Sequence, residues 1–196
     1  MAALPGREDE ARALIDEAVA YAAVTDCGFV SVVAGHSGRT DAAERTYREN
    51  LRYAADRAGE RGCGVLIEPL STVMGDSYHL QHVSAAAQTI AAVGASNLHI
   101  MADTFHVMTM EGSLDTIVEH LDVIGHIQIS GWPNRDEPGH KATAESEPEP
   151  EQVIDFATAL PAWIEAGYDG CYGAEYTPRI SENDGLGWLD HWRPGA

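Results

Sequence analysis

Four oxygen-bearing side chains stand at or near the ends of short apolar runs. Glu68 closes Val65-Leu-Ile-Glu68, Asp103 closes His99-Ile-Met-Ala-Asp103, Gln128 lies in His126-Ile-Gln-Ile129, and Glu175 closes Gly173-Ala-Glu175. Three carboxylates brought together repel one another unless a cation neutralises them or protons are shared. Their oxygens, with an amide oxygen, suit a hard divalent cation, Mg²⁺ or Mn²⁺, better than zinc, which favours Cys and His. His106, three residues beyond Asp103, reads as a loop residue able to hold a substrate oxygen or orient a water. Arg135, in Gly131-Trp-Pro-Asn-Arg-Asp-Glu-Pro138, is suited to bidentate pairing with a substrate carboxylate, its plain alternative being a turn with surface charges. Any one of these acids taken alone is better explained as a solvated strand end or helix cap. Four such residues on successive strands favour a site, because strand C-termini in a closed parallel barrel converge on one mouth.

The elements that must position them alternate along the chain. Residues 7–22 put Ala11, Leu14, Ile15, Ala18, Val19 and Ala22 on one helical face, with Glu8, Asp9 and Glu10 in the first turn, where the helix dipole favours acids. Strands are expected over 29–35, 64–70, 98–103, 126–130 and 171–176. Helices are expected from near Asp41, with Asp41 and Glu44 at capping-box spacing, and over 77–93, ended by Gly94. Another is expected from Gly112-Ser113 through Ile124, and a last one over 151–166, which Pro161 kinks or delays. His79 and His82, at i and i+3, read as the surface of the 77–93 helix. Strands alternating with helices predict βαβ units and a parallel sheet. Strand starts near Phe29, Val65, Leu98, His126 and Cys171 are 36, 33, 28 and 45 residues apart. A barrel of eight such units takes about 250 residues, or about 31 per unit. The spacing fits, the last interval being stretched by a polar segment over 139–151 that reads as a solvated loop, or else a lid. The five strands fall short of eight.

Composition narrows the class. The 196 residues carry 12 basic and 31 acidic side chains, a net charge of −19, with 44% hydrophobic residues. That is enough apolar material for a core, and the acidity argues against a nucleic-acid partner, which needs clustered Lys and Arg. No apolar run approaches the roughly 20 residues of a membrane helix, and no secretory signal opens the chain. Three scattered cysteines, Cys27, Cys63 and Cys171, predict a reduced cytoplasmic setting. Walker loops, dinucleotide fingerprints and Gly-x-Ser-x-Gly elbows are missing from the sequence. Trp188 and Trp192 are expected to pack the 181–196 tail on the body or on a neighbouring subunit.

The ordered motifs Ala3-Leu-Pro-Gly-Arg-Glu8, Tyr47-Arg-Glu-Asn-Leu-Arg-Tyr-Ala-Ala-Asp56, Leu66-Ile-Glu-Pro69, Asp103-Thr-Phe-His106, Met110-Glu-Gly112, Gly125-His-Ile-Gln-Ile129, Glu137-Pro-Gly139, Gly167-Tyr-Asp-Gly170 and Glu175-Tyr-Thr-Pro178 resemble the hydroxypyruvate isomerase family of xylose isomerase-like TIM barrels. The resemblance implies an α/β fold: an incomplete (β/α)8 barrel over 1–180, formed by strands four to eight, because the Leu-Pro-Gly-Arg segment that follows the family's third strand begins here at residue 4. It implies isomerisation of small hydroxy-oxo acids, hydroxypyruvate to tartronate semialdehyde or related 2-oxo-tetronates. Glu68 and Glu175 would be the proton-transfer pair and metal ligands, Asp103 and Gln128 would complete the metal shell, and His106 and Arg135 would touch the substrate. Thr177, Asp136 and the acidic Pro-Glu segment depart from the family pattern. The competing readings are a sugar epimerase using the same glutamates, and a non-catalytic remnant. An open sheet would expose apolar edges, predicting poor solubility or a homo-oligomer.

Overall fold

The structure is a computed structural model and describes residues 1–139, 153–179 and 184–191. Five strands form one sheet in chain order: β1 (Phe29–Ser31), β2 (Gly64–Ile67), β3 (Leu98–Asp103), β4 (Ile124–Ile129) and β5 (Tyr172–Ala174). Every neighbouring pair is parallel. Parallel neighbours require crossover connections. These are supplied by α2 (Asp41–Gly59), α3 (Val83–Val93), the short pair α4 (Thr104–Glu111) and α5 (Asp115–Glu119), and α6 (Phe156–Glu165), while α1 (Glu8–Thr25) precedes β1. The product is the expected half-barrel of βα units.

Alternation sorts the strands into two faces. Val65 and Ile67 of β2, with Leu98 and Ile100 of β3 and Ile127 and Ile129 of β4, join Tyr47, Leu51 and Ala54 of α2 in the core. Burying a Leu or Ile side chain contributes roughly 1.5–3 kcal/mol, so this helix-facing layer anchors the sheet. Leu66 and Glu68, His99, Met101 and Asp103, and His126 and Gln128 take the opposite, concave face. One irregularity sets that face. The β3–β4 register shifts between Ile100 and Met101, so that Ile100 pairs with Ile124 but Met101 pairs with His126, Ala102 with Ile127 and Asp103 with Gln128. Without the shift Asp103 would stand beside Ile127, whose side chain points to the helices. Gly125 permits the kink: a Cβ there would lie 2.8 Å from His99 Cβ.

Several local expectations change. Thr40, not Asp41, caps α2, its hydroxyl accepting from the Ala43 N–H. Helix α3 starts at Val83, so residues 77–82 are loop. Gly112 ends a helix rather than opening one: with φ 71° it caps α4, and the five residues of α5 and a 3-10 turn over Leu121–Val123 stand where one long helix was expected. The segment after Asp103 turns directly into α4, because the Asp103 carboxylate accepts from the Phe105 N–H and caps it. Helix α6 begins at Phe156, five residues before Pro161, which lies inside it and does not set its start. Trp188 packs against the body through Tyr176, whose hydroxyl accepts from its indole N–H at 3.2 Å. Trp192 and residues 140–152, which hold nearly all of the acidic Pro-Glu segment, lie outside the described residues.

Candidate active site

Asp103 and Gln128 are paired neighbours at the C-terminal end of the sheet, Glu68 follows the last residue of β2, and Glu175 follows the last residue of β5. Glu175 is held there by its backbone N–H, which donates to the Ile129 carbonyl at 3.1 Å. The strand ends thus bring the four residues to one end of the sheet, as expected for a barrel mouth. Glu68, Asp103 and His106 come closest: one potential ligand atom of each lies within 4.8 Å of the others.

Burial makes this cluster electrostatically costly. Desolvation, reinforced by the charges of Asp103 and Glu175, pushes the Glu68 carboxyl up to about 8. Asp103 is fully buried and desolvation lifts it to about 6, against the pull of Arg135 and the Phe105 N–H. Two carboxyls that resist ionisation in one dry pocket are what a divalent cation relieves. Gln128 adds a second sign: its Oε1 is buried and has no hydrogen-bond partner among the described residues. Buried acceptors are normally paired, and an amide oxygen among carboxylates is an oxygen donor for a hard cation. The donor set therefore fits a hard divalent cation.

His106 plays a different part. It is not a loop residue but sits in the first turn of α4, buried. Its Nδ1 accepts from the Ser71 N–H at 3.1 Å and lies 2.9 Å from the Ser71 hydroxyl. Nδ1 must therefore carry the lone pair, leaving the proton on Nε2. Burial, with the Arg135 charge, lowers its basicity to about 4, so the ring is neutral near pH 7. Nε2 stands 3.9 Å from Asp103 Oδ2. A neutral imidazole with a proton on the site-facing nitrogen donates hydrogen bonds; it does not ligate metal through that atom.

Arg135 is drawn into the acids rather than left on the surface. Its Nη2 lies 2.7 Å from Asp103 Oδ2 and 3.0 Å from Glu175 Oε1. The guanidinium lies over the Phe105 ring, 5.5 Å from its centroid, a favourable cation–π placement. The backbone at Arg135 is left-handed, φ 55°, and its carbonyl accepts from the Thr177 N–H, tying the β4 loop to the chain beyond β5. Glu137, buried on the same loop, accepts from the Arg179 N–H at 3.0 Å and makes a second tie. Ser71, Phe105 and Glu137 were not singled out in the sequence as site residues. Phe105 and Glu137 left a trace, each lying in one of the motifs that carry the resemblance, whereas Ser71 lay outside them. His79, expected on a helix surface, is a buried loop residue bonded to Ser37 and Glu44, and His82 bonds Glu111. A cavity of about 680 Å³ lies at the other end of the sheet, lined by Phe29, Cys63, Asn97 and His99, away from the acids.

A family model described as xylose isomerase-like TIM barrel matches residues 1–192. The chain belongs to the xylose isomerase-like TIM barrel family. Within this barrel family it is 34% identical to a 2-oxo-tetronate isomerase of Pectobacterium atrosepticum, over 98% of this chain and 71% of the relative. It is 33% identical to the hydroxypyruvate isomerase of Escherichia coli, over 98% of this chain and 72% of the relative. A solved structure from Brucella melitensis, described as an AP endonuclease of family 2, superposes with a TM-score of 0.84 at 33% identity, covering 98% of this chain and 72% of that one. A D-psicose 3-epimerase of Clostridium cellulolyticum shares the fold, with a TM-score of 0.73 at 19% identity over 96% of this chain and 63% of that one.

Proposed function

We propose that this chain carries an isomerase site for small hydroxy-oxo acids, of the type that interconverts hydroxypyruvate and tartronate semialdehyde. The observation that carries the reading is Arg135 seated between Asp103 and Glu175 at the strand ends that also present Glu68 and Gln128. A guanidinium in an acid-lined site matches a substrate that brings its own carboxylate. The relatives at 33–34% identity, named as isomerases of such acids, support the same class.

Moving a carbonyl to the neighbouring carbon takes a proton from the hydroxymethylene carbon and gives one to the former carbonyl carbon, while a hydroxyl proton crosses between the two oxygens. The intermediate is an enediolate. Glu68 and Glu175 come from strands separated by β3 and β4, so they flank the space over Asp103 and Gln128. One takes the carbon-bound proton and the other completes the transfer. Burial and the neighbouring acids keep a proton on Glu68 up to about pH 8 in the metal-free site; a bound cation would favour the ionised carboxylate that a base requires. His106 offers its Nε2–H to a substrate oxygen, and Arg135 holds the carboxylate. Glu68, Asp103, Gln128 and Glu175 would hold a divalent cation, Mg²⁺ or Mn²⁺, which would supply Lewis acidity.

The test is solvent deuterium exchange into hydroxypyruvate, followed by NMR with Mn²⁺ present. Exchange is expected with the native chain and at least about a hundredfold slower after Glu175→Gln. Undiminished exchange in that variant would remove Glu175 from its role. An uncharged ketohexose run in parallel separates this reading from a sugar epimerase: epimerisation of the ketohexose with no exchange on hydroxypyruvate would favour the epimerase.

A further inference from the structure

We propose that Arg135 is an exchangeable counter-ion, which neutralises Asp103 and Glu175 until a divalent cation displaces it and so frees it to bind a substrate carboxylate. This rests on the metal-assisted isomerase reading above. Two buried polar atoms argue for the exchange. Gln128 Oε1, an acceptor, and Arg135 Nε, a donor, are both without partners among the described residues. Such atoms are normally satisfied, and here each lacks what the other state provides. A cation at the acids gives Gln128 a partner. Arg135, released from the acids, turns its Nε and Nη edge to a ligand carboxylate and satisfies Nε in a bidentate pair.

The mounting of Arg135 suits a swing of the side chain alone. Its main chain is fixed, since its carbonyl accepts from the Thr177 N–H at 2.8 Å. Its side chain retains partial exposure at 25% and rests on the flat Phe105 ring, over which a guanidinium can slide without losing its support. The cation and the guanidinium contend for the same oxygens, Asp103 Oδ2 and Glu175 Oε1. Metal binding is thereby opposed by Arg135 when no substrate is present and favoured once a carboxylate captures Arg135. By linkage, each ligand tightens the other.

Mn²⁺ binding, read by electron paramagnetic resonance, tests this on the full chain. Arg135→Met is expected to bind Mn²⁺ about tenfold more tightly than the native protein. Arg39→Gln, which removes a charge from the β1–α2 loop at the same end of the sheet, is expected to change the affinity by less than about twofold. In the native protein, phenylglyoxal should label Arg135, mapped by mass spectrometry, faster with saturating Mn²⁺ than without it, and added propanoate should slow the labelling again. Equal Mn²⁺ affinity in Arg135→Met, or labelling that Mn²⁺ leaves unchanged, overturns the exchange while the isomerase reading stands. Absence of Mn²⁺ binding in both proteins overturns the metal reading and the exchange together. The labelling arm uses native protein, so it decides the matter even where the Met variant fails to fold.

Discussion

At the level of single residues, the acids of this site carry opposing demands that titration should expose. Glu68 keeps its proton to about pH 8 when folded, whereas an unfolded glutamate releases it near 4.5. Across that window the folded chain binds the extra proton, so stability falls as pH rises. Asp103 acts in the same direction up to about 6. His106, depressed to about 4 from 6.5, acts in the opposite direction below 6.5. Of these three, only Glu68 still contributes between about pH 6.5 and 8. The Tm of the metal-free protein is therefore expected to fall over that range, and Glu68→Gln should flatten the slope. A native Tm that rises between pH 6.5 and 8 would contradict the burial of Glu68. The six proposed site residues stood out in the sequence because chemistry-bearing side chains at and just beyond strand ends are conspicuous by type. The tautomer of His106 was not, since it depends on a backbone N–H of Ser71, and a main-chain donor has no letter in a sequence. Nor was the capture of Arg135 by Asp103 and Glu175, a contact across 32 and 40 residues of chain.

Among the elements, all five strands were legible as short β-rich apolar runs, while helix boundaries were harder. The apolar run from Leu80 to Val93 reads as one periodic face, yet Leu80 is buried as loop and the helix waits until Val83. His79 was misplaced for the same reason: its bonds to Ser37 and Glu44 span more than 30 residues, and such tertiary bonds override local period. Gly112 was read as an opener because the apolar residues after it are periodic, but its left-handed backbone makes it a stop. The β3–β4 irregularity was equally hidden, although it decides which face Gln128 takes. Substituting Gly125 tests it. A Cβ 2.8 Å from His99 must force a shift, so Gly125→Val is expected to cost on the order of 1–3 kcal/mol and to lower Mn²⁺ affinity by loosening the Asp103–Gln128 pairing. Unchanged affinity in a folded Gly125→Val protein would show that the pairing does not need the kink. Chemical denaturation and a Mn²⁺ titration measure the two effects.

For the whole molecule, the five-stranded sheet leaves one side of β1 without a strand partner among the described residues. The outer face of α1 is also apolar, with Tyr21 71% and Val24 86% exposed beside a half-exposed Leu14. An apolar helix stripe next to a strand edge is adhesive. The chain is expected to self-associate at micromolar concentration in light scattering, and Tyr21→Lys with Val24→Glu should shift it toward monomer. A monomer that the double change leaves untouched would remove that patch from consideration. The acidity says little about partners, because several of the acids converge on the site. The order of the sheet has a consequence in time. Among the described strands each pairs only with those before and after it in the chain, so none of these pairings waits for a distant segment. A chain leaving the ribosome at about 5–20 residues per second can lay down each βα unit against one already formed. Growth from β1 toward β5 brings out Glu68 first, then Asp103 with His106, then Gln128 and Arg135, and then Glu175, so among the described strands β5 is the one that completes the proposed site.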